Sequence, residues 1–379
     1  MIDTDILIVG GGPAGLLAGA RLADSNRVVL IERAVLGRTT KCWVTTQRRL
    51  QINDLTHCLL YAASEMCAGT FLGSRIEIRG DLAVVDDQAF LQTLIERCAK
   101  KNVQLYDKCP IANLRWNKDR IHVETAQHSY ATRMVVDASG GQSPLAHTFR
   151  LHRIEGFLSC HGAHARPIKL LNRNIVLAYV NQLGDPPLGL EVAPTGEDSA
   201  YCLVFTYSRK LITPNELRSA FQQSCQHNPF FQVFPDTKFT TGRVGVVPIG
   251  TVRRKSLPGI ISIGEAAMVQ PPLMGTAFNE ILEYNDSICS HITHQLKEFR
   301  DIPPSPAYKY PIVKRIQDRI QLAMVRALMN RNVESFDQFI RAMSQLPERT
   351  LFNFCSNELD WSELFTIARR VPSVLFQML

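Results

Sequence analysis

The sequence predicts an α/β fold: a Rossmann-type dinucleotide-binding domain, an inserted antiparallel-sheet domain, and a helical C-terminal tail. Three observations carry this. The chain opens on an apolar strand followed by G-x-G-x-x-G. In the middle, and again near residue 260, apolar strands break at the glycine-containing turns VVDASGG and GIISIGEAA. The pattern between them changes to alternating, β-rich segments, and beyond them to helical spacing. With 379 residues, the chain suits two intertwined domains. The dinucleotide-binding part is expected at 1–80, 130–150 and 250–300. The inserted sheet and its connections fall at 81–129 and 151–249, and the helical region at 301–379.

The first segment, TDILIVGGGPAGLLAGARLADSNRVVLIER, is the best defined. Ile6 to Val9 read as a buried parallel strand. Gly10 permits the tight turn, Gly12 lets the backbone approach a pyrophosphate, and Gly15 lets the helix pack closely on the strand. After Pro13 a helix runs from roughly Ala14 to Ala23, whose free N–H groups and positive dipole end favour phosphate. The second strand, Val28 to Ile31, ends at Glu32, about twenty residues past the glycines, where an acid can bind ribose hydroxyls. Arg33, Arg38 and Lys41 follow closely and are candidates to neutralise the pyrophosphate. The motif's place at the N-terminus favours FAD over NAD as the dinucleotide.

Asp86 or Asp87 caps a helix with Phe90, Leu91, Leu94, Ile95 and Cys98 on one face. NVQLYD, IANLRW and RIHVETA read as a small antiparallel element. Met134 to Val136 form a buried strand that breaks at Asp137, Ala138 and Gly140, where a chain can pass close under a dinucleotide. NIVLAYV, LGLEVAP and AYCLVFTYS predict an antiparallel sheet that walls a substrate pocket. Glu191 stands alone among apolar residues in LGLEVAP. Gly264 then ends a strand, Glu265 reaches for a ribityl hydroxyl, and Pro272, Gly275, Thr276 and Ala277 lead into a helix aimed at the pyrimidine side of a flavin ring. In residues 310–332, Ile312, Ile316, Ile320, Ala323 and Ala327 share a face, and Lys314, Arg315, Arg319, Arg326 and Arg331 make the helix basic. Such a helix either packs on the flavin domain or touches an anionic membrane peripherally.

Composition narrows the classes. A 45% hydrophobic and 20% charged content describes an ordinary globular chain. Ten scattered Cys with no C-x-x-C pair read as reduced thiols of a cytoplasmic protein. His161-x-x-His164 and His291-x-x-His294 lack a third ligand nearby, so no metal is expected. The net charge of +7 is mild and unclustered, which argues against nucleic acid as a partner. The N-terminus does not read as a signal peptide, and no apolar run is long enough to span a bilayer.

With DILIVGGGPAG, KCWVT, VVDASG, GRVGVVPIG, GEAAMVQP and the tail LPERTLFNFCSNELDWSELFTIARRVPS on the page, the chain resembles the lycopene cyclase family of flavoproteins. That family is related to flavin monooxygenases and geranylgeranyl reductases. The resemblance implies an FAD-binding Rossmann-type (GR2-like) domain, a sheet-walled substrate domain and a helical tail. Lycopene cyclases carry an F-L-E-E-T-type stretch whose glutamates do the acid chemistry. The matching YCLVFTYS has Val204 and Phe205 in their places, with Thr206 retained. Neither donates a proton, so standard lycopene cyclisation is not expected. The spacing Gly264, Pro272, Gly275, Asn279 fits monooxygenases, and the halogenase W-x-W-x-I-P is absent.

Three functions follow as expectations. The first is an FAD-dependent oxidoreductase of monooxygenase type, with NAD(P)H as transient reductant, acting on an apolar small molecule of secondary metabolism. The second is a non-redox cyclase or isomerase in which Glu191 is the acid. The third is a flavin-bound scaffold.

Overall fold

The apolar strand Ile2–Val9 lies between two parallel neighbours, Val28–Ile31 and Ser129–Asp137, with Ile6, Leu7 and Ile8 sealed from solvent. That is why it reads as an unbroken apolar run. In this computed structural model, residues 1–39, 41–253, 257–275, 277–304, 307–329 and 331–370 are described. The first sheet runs Gln104–Tyr106, Val28–Ile31, Ile2–Val9, Ser129–Asp137, Arg120–Thr125, Ile111–Asn117. Ser129–Asp137 shares its outer edge between two partners. Arg120–Thr125 pairs antiparallel with its start, and Ile260–Ser262 pairs parallel with its end. Three strands therefore finish side by side at Val9, Asp137 and Ser262, and the turns that follow them converge.

The second sheet has nine strands among the described residues. Along its path lie Phe231–Phe239, His152–Leu170, Ala200–Ser208, Gly189–Pro194, Ile175–Val180, Leu59–Thr70, Arg75–Val85 and Trp43–Thr46, and Arg243–Val252 also pairs with His152–Leu170. It is antiparallel except where Ile175–Val180 runs parallel to Leu59–Thr70. One face carries Leu190, Val192, Cys202 and Val204 and is covered by Phe221 and Cys225 of the helix Pro214–Gln226. The other carries Leu158, Tyr201, Phe205 and Tyr207 and packs with the C-terminal helices through Leu322, Phe336 and Phe354.

Sheet membership divides the chain elsewhere than the expected boundaries. Residues 43–80 supply strands to the second sheet, not the first, and 104–125 belong to the first sheet, not the second. Gln104–Tyr106, expected in a small antiparallel element, pairs parallel with Val28–Ile31. The joint between the sheets is aromatic. Trp43 stacks on Phe278 with ring centroids 5.0 Å apart, and Phe90 meets both edge-on. Asp86 caps the helix Asp87–Lys100, accepting a bond from the Ala89 amide at 3.0 Å.

The helix Ile312–Leu328 forms but is rotated from the expected face. Its buried residues are Lys314, Gln317, Gln321, Leu322, Met324, Val325, Ala327 and Leu328, while Ile312 is exposed. Lys314, expected among the surface bases, is buried, and Arg326 is paired with Glu155 at 2.6 Å. Among the described residues no helix is long and apolar enough to cross a membrane.

Candidate dinucleotide and substrate site

The glycine loop has the shape its spacing predicts. Gly10 sits at φ +112°, and a Cβ there would lie 2.4 Å from the Ala138 carbonyl oxygen. A Cβ on Gly15 would lie 1.9 Å from the Gly10 carbonyl oxygen. These two glycines let the helix Pro13–Leu22 and the turn after Asp137 press against the loop. Gly12 differs: a Cβ there meets nothing within 4 Å. It is also the helix N-cap and has no side-chain bond, so the first-turn N–H groups are left uncapped by any side chain. Glu32 leans over this loop, accepting bonds from the amides of Gly11 at 2.7 Å and Ala34 at 2.8 Å.

Two further segments close on the loop. Gly264 lies at φ +60°, and a Cβ there would come within 2.9 Å of the Ala14 methyl. Glu265 then reaches the amide of Gly141 at 3.2 Å and the ammonium of Lys41 at 3.6 Å. Lys41 is thus brought to the site. Arg33 and Arg38 are exposed and make no ion pair among the described residues. Asp137 requires a correction. It is fully buried, and its oxygens accept from the Ser139 hydroxyl at 2.5 Å and the Ser143 hydroxyl at 2.6 Å. Burial pushes its carboxyl up while the serine bonds oppose that shift. It shapes the turn that carries Ala138 and Gly140 and presents no free oxygen to a ligand.

The segment after Glu265 turns sharply. Met268 occupies the left-handed region at φ +52°, and the amides of Met274 and Gly275 both donate to the Pro271 carbonyl around Pro272. A Cβ on Gly275, at φ +68°, would strike Leu158 at 2.2 Å. The helix expected from about Gly275 onward runs Phe278–Glu298, with Ala277 as N-cap and no side-chain cap. Thr276 lies outside the described residues. The buried Asn279 Oδ1 has no partner among the described residues. An open cradle at Gly12, two uncapped helix N-termini and an orphaned polar atom fit a bound dinucleotide whose phosphates and ring satisfy them.

The second sheet presents its Leu158 face to this segment. Glu191 pairs across the ladder with Leu203, and Leu203 with Gly162, so all three share that face. Glu191 retains some accessible surface, yet burial alone raises its carboxyl to about 7. Cys42 and Cys160 lie within electrostatic reach of it, and its charge raises both thiols further. Among the described residues no hydrogen bond or ion pair holds it. Neighbouring residues of a strand point to opposite faces. Phe205 is on the Glu191 side with its ring over Gly189, whereas Val204 is under the helix Pro214–Gln226. A surface groove lined by Arg75, Arg79 and Glu348 lies on the hairpin Leu59–Val85 and reaches none of these residues.

A family model described as lycopene cyclase protein matches residues 5–378. The chain belongs to the lycopene cyclase family. No curated protein matches it in sequence. Solved structures share the fold of this family member at low identity. A geranylgeranyl bacteriochlorophyll reductase-like protein from Thermoplasma acidophilum is 15% identical, with a TM-score of 0.72, covering 100% of this chain and 99% of that one. The p-nitrophenol 4-monooxygenase of Pseudomonas putida DLL-E4 is 14% identical with a TM-score of 0.72, covering 96% and 99%. A halogenase solved in complex with phloroglucinol and FAD is 12% identical with a TM-score of 0.66, covering 97% and 85%. In this lycopene cyclase family member, sequence reasoning missed Lys314, Gln321 and Tyr207, which bind the segment 269–273 from outside the dinucleotide domain. A Lys, a Gln and a Tyr at isolated positions carry no motif that announces this.

Proposed function

We propose that the chain is an FAD-dependent oxidoreductase of monooxygenase type that acts on an apolar small molecule and takes its electrons from transiently bound NAD(P)H. The observation that carries this reading is the convergence of three glycine turns on an open cradle, Gly10–Gly15, Ala138–Gly141 and Gly264–Glu265. Bound FAD would supply two-electron transfer and the activation of O₂. The protein's own residues bind and orient. The Gly12 turn and its helix take the pyrophosphate, Glu32 the ribose, and Glu265 with Lys41 the ribityl and phosphate edge. Leu158, Leu203, Phe205 and Tyr207 supply an apolar wall that excludes water. The test is a spectrum of the purified protein followed by consumption assays. Flavin bands, with NAD(P)H and O₂ consumed in step with a lipophilic substrate, support the reading; a colourless protein that ignores added FAD removes it.

A second reading rests on Glu191. A carboxyl raised to about 7 and held by no partner is partly protonated at neutral pH and can give a proton to an apolar substrate. A non-redox cyclase or isomerase would use it so. A product isomeric with its substrate, formed without net NAD(P)H consumption, selects this reading.

A further inference from the structure

The segment Val269–Leu273 is the part of the cofactor site least able to hold its own shape. It contains Pro271 and Pro272, which donate no backbone bond, and it follows Met268 in a left-handed conformation. Side chains from elsewhere in the chain hold it. The Lys314 ammonium donates to the Val269 carbonyl at 3.1 Å. Gln321 Oε1 accepts from the Leu273 amide at 3.1 Å, and the Tyr207 hydroxyl donates to the Leu273 carbonyl. All three are buried, at 4%, 0% and 6% exposure.

Each holding group is itself fixed. Lys314 is paired with Glu280 at 3.0 Å and Asp318 at 2.9 Å. Glu280 lies in the first turn of the helix Phe278–Glu298, and Asn357 donates to its other oxygen. Gln321 Nε2 reaches the Phe354 carbonyl at 3.5 Å, and Gln317 reaches the same oxygen at 3.0 Å. A buried lysine between carboxylates, on a helix face that could have been apolar, costs desolvation that packing alone does not require.

We propose that Lys314, Gln321 and Tyr207 are positioning residues that clamp Val269–Leu273 in the one conformation in which this segment, between Glu265 and the helix Phe278–Glu298, would border a bound flavin. The C-terminal helix Ile312–Leu328 is then a working wall of the cofactor site. The part concerning flavin rests on the reading given above. The clamp itself is a statement about the chain alone, so the two fail separately.

Amide hydrogen exchange over residues 268–275, with and without FAD, tests it on the full-length protein as purified. Gln321→Leu and Tyr207→Phe each remove one holding bond at nearly constant volume. Gln321→Glu keeps an acceptor for the Leu273 amide. The expected result is exchange at 273–275 faster by about tenfold in Gln321→Leu, FAD affinity weaker by a similar factor, and an altered visible circular dichroism of the bound flavin. Gln321→Glu should restore most of each at acid pH, where its protonated carboxyl both accepts from the Leu273 amide and donates to the Phe354 carbonyl. Lys314→Met is the stronger variant; if it fails to fold, the other two decide. Exchange unchanged in both Gln321→Leu and Tyr207→Phe overturns the clamp. Faster exchange with unchanged FAD affinity and spectrum overturns its role at the cofactor. If the unaltered protein takes up no FAD, the flavin reading falls, and the exchange rates alone uphold or overturn the clamp.

Discussion

At Gly12 the backbone is open to the cradle, so an added side chain would occupy the ligand's space and not the protein's. Gly12→Val is therefore expected to leave the fold intact and abolish FAD uptake, read as loss of flavin absorbance against an unchanged far-ultraviolet spectrum. Gly15→Val, by contrast, would drive a methyl into the Gly10 carbonyl and should cost the fold as well. Glu265 is bonded to Gly141 and paired with Lys41 at the cradle's edge. Glu265→Ala should weaken FAD binding by about 1–3 kcal/mol, measured by fluorescence titration. Turnover lost with affinity unchanged would make Glu265 a catalytic group instead. For Glu191 the sign follows from linkage. Its folded carboxyl is raised from 4.5 to about 7, so the native state holds the proton more tightly than the unfolded chain. This group's contribution to stability is then complete below the unfolded value and is lost as pH rises from about 4.5 to about 7. At about 1.4 kcal/mol per unit, Glu191→Gln should be more stable than the parent by up to about 3 kcal/mol at pH 8 and indistinguishable at pH 4. Urea denaturation of both proteins at the two pH values measures this, and an equal gap at both would refute it.

Among the elements, the helix Ile312–Leu328 departs furthest from its sequence. Charge on a helix ordinarily reads as surface, because Lys is seldom fully buried without partners. The partners of Lys314 are Glu280, 34 positions earlier in the chain, and Asp318, and the former cannot be found by periodicity. With Lys314 inside and Arg326 held by Glu155, Arg315 and Arg319 remain as exposed bases in the helix. We propose that any peripheral membrane contact through this element is correspondingly weak. Two bases give about 2 kcal/mol toward an anionic surface. Co-sedimentation with anionic vesicles should therefore be slight at low salt and absent at high salt. Strong, salt-resistant binding would require another surface. The sheet strands were more legible. LGLEVAP and AYCLVFTYS, expected in an antiparallel sheet, pair antiparallel, and their register, which the sequence does not show, puts Glu191 and Phe205 on one side.

In the whole molecule, local stereochemistry was readable and long-range pairing was not. Gly10, Gly15 and Gly264 show in the sequence because each answers to a contact of a few ångströms, as at Gly10 against Ala138. The strands Trp43–Thr46, Leu59–Thr70 and Arg75–Val85 look like a continuation of the first domain because their partner, Ile175–Val180, lies a hundred residues on. The strand end at Asp137 is legible from its small residues, but the two serines that turn its acid inward carry no pattern in the sequence. The joint at Trp43 and Phe278 binds both sheets into one core.

The parallel pairing of Ile175–Val180 with Leu59–Thr70 also bears on how the chain is made. A ribosome delivers residues 59–85 as a hairpin with one unpaired edge, and that edge stays bare until residue 180 has emerged. The first sheet waits longer, since Ile260–Ser262 is its last strand to arrive. A nascent chain of this protein therefore carries two unfinished sheets through more than half of its synthesis, and exposed strand edges of that kind invite wrong partners. Slower elongation across 86–180 would lengthen that exposure, so yield of the soluble protein should depend on translation speed there and on the chaperones that shield an open edge.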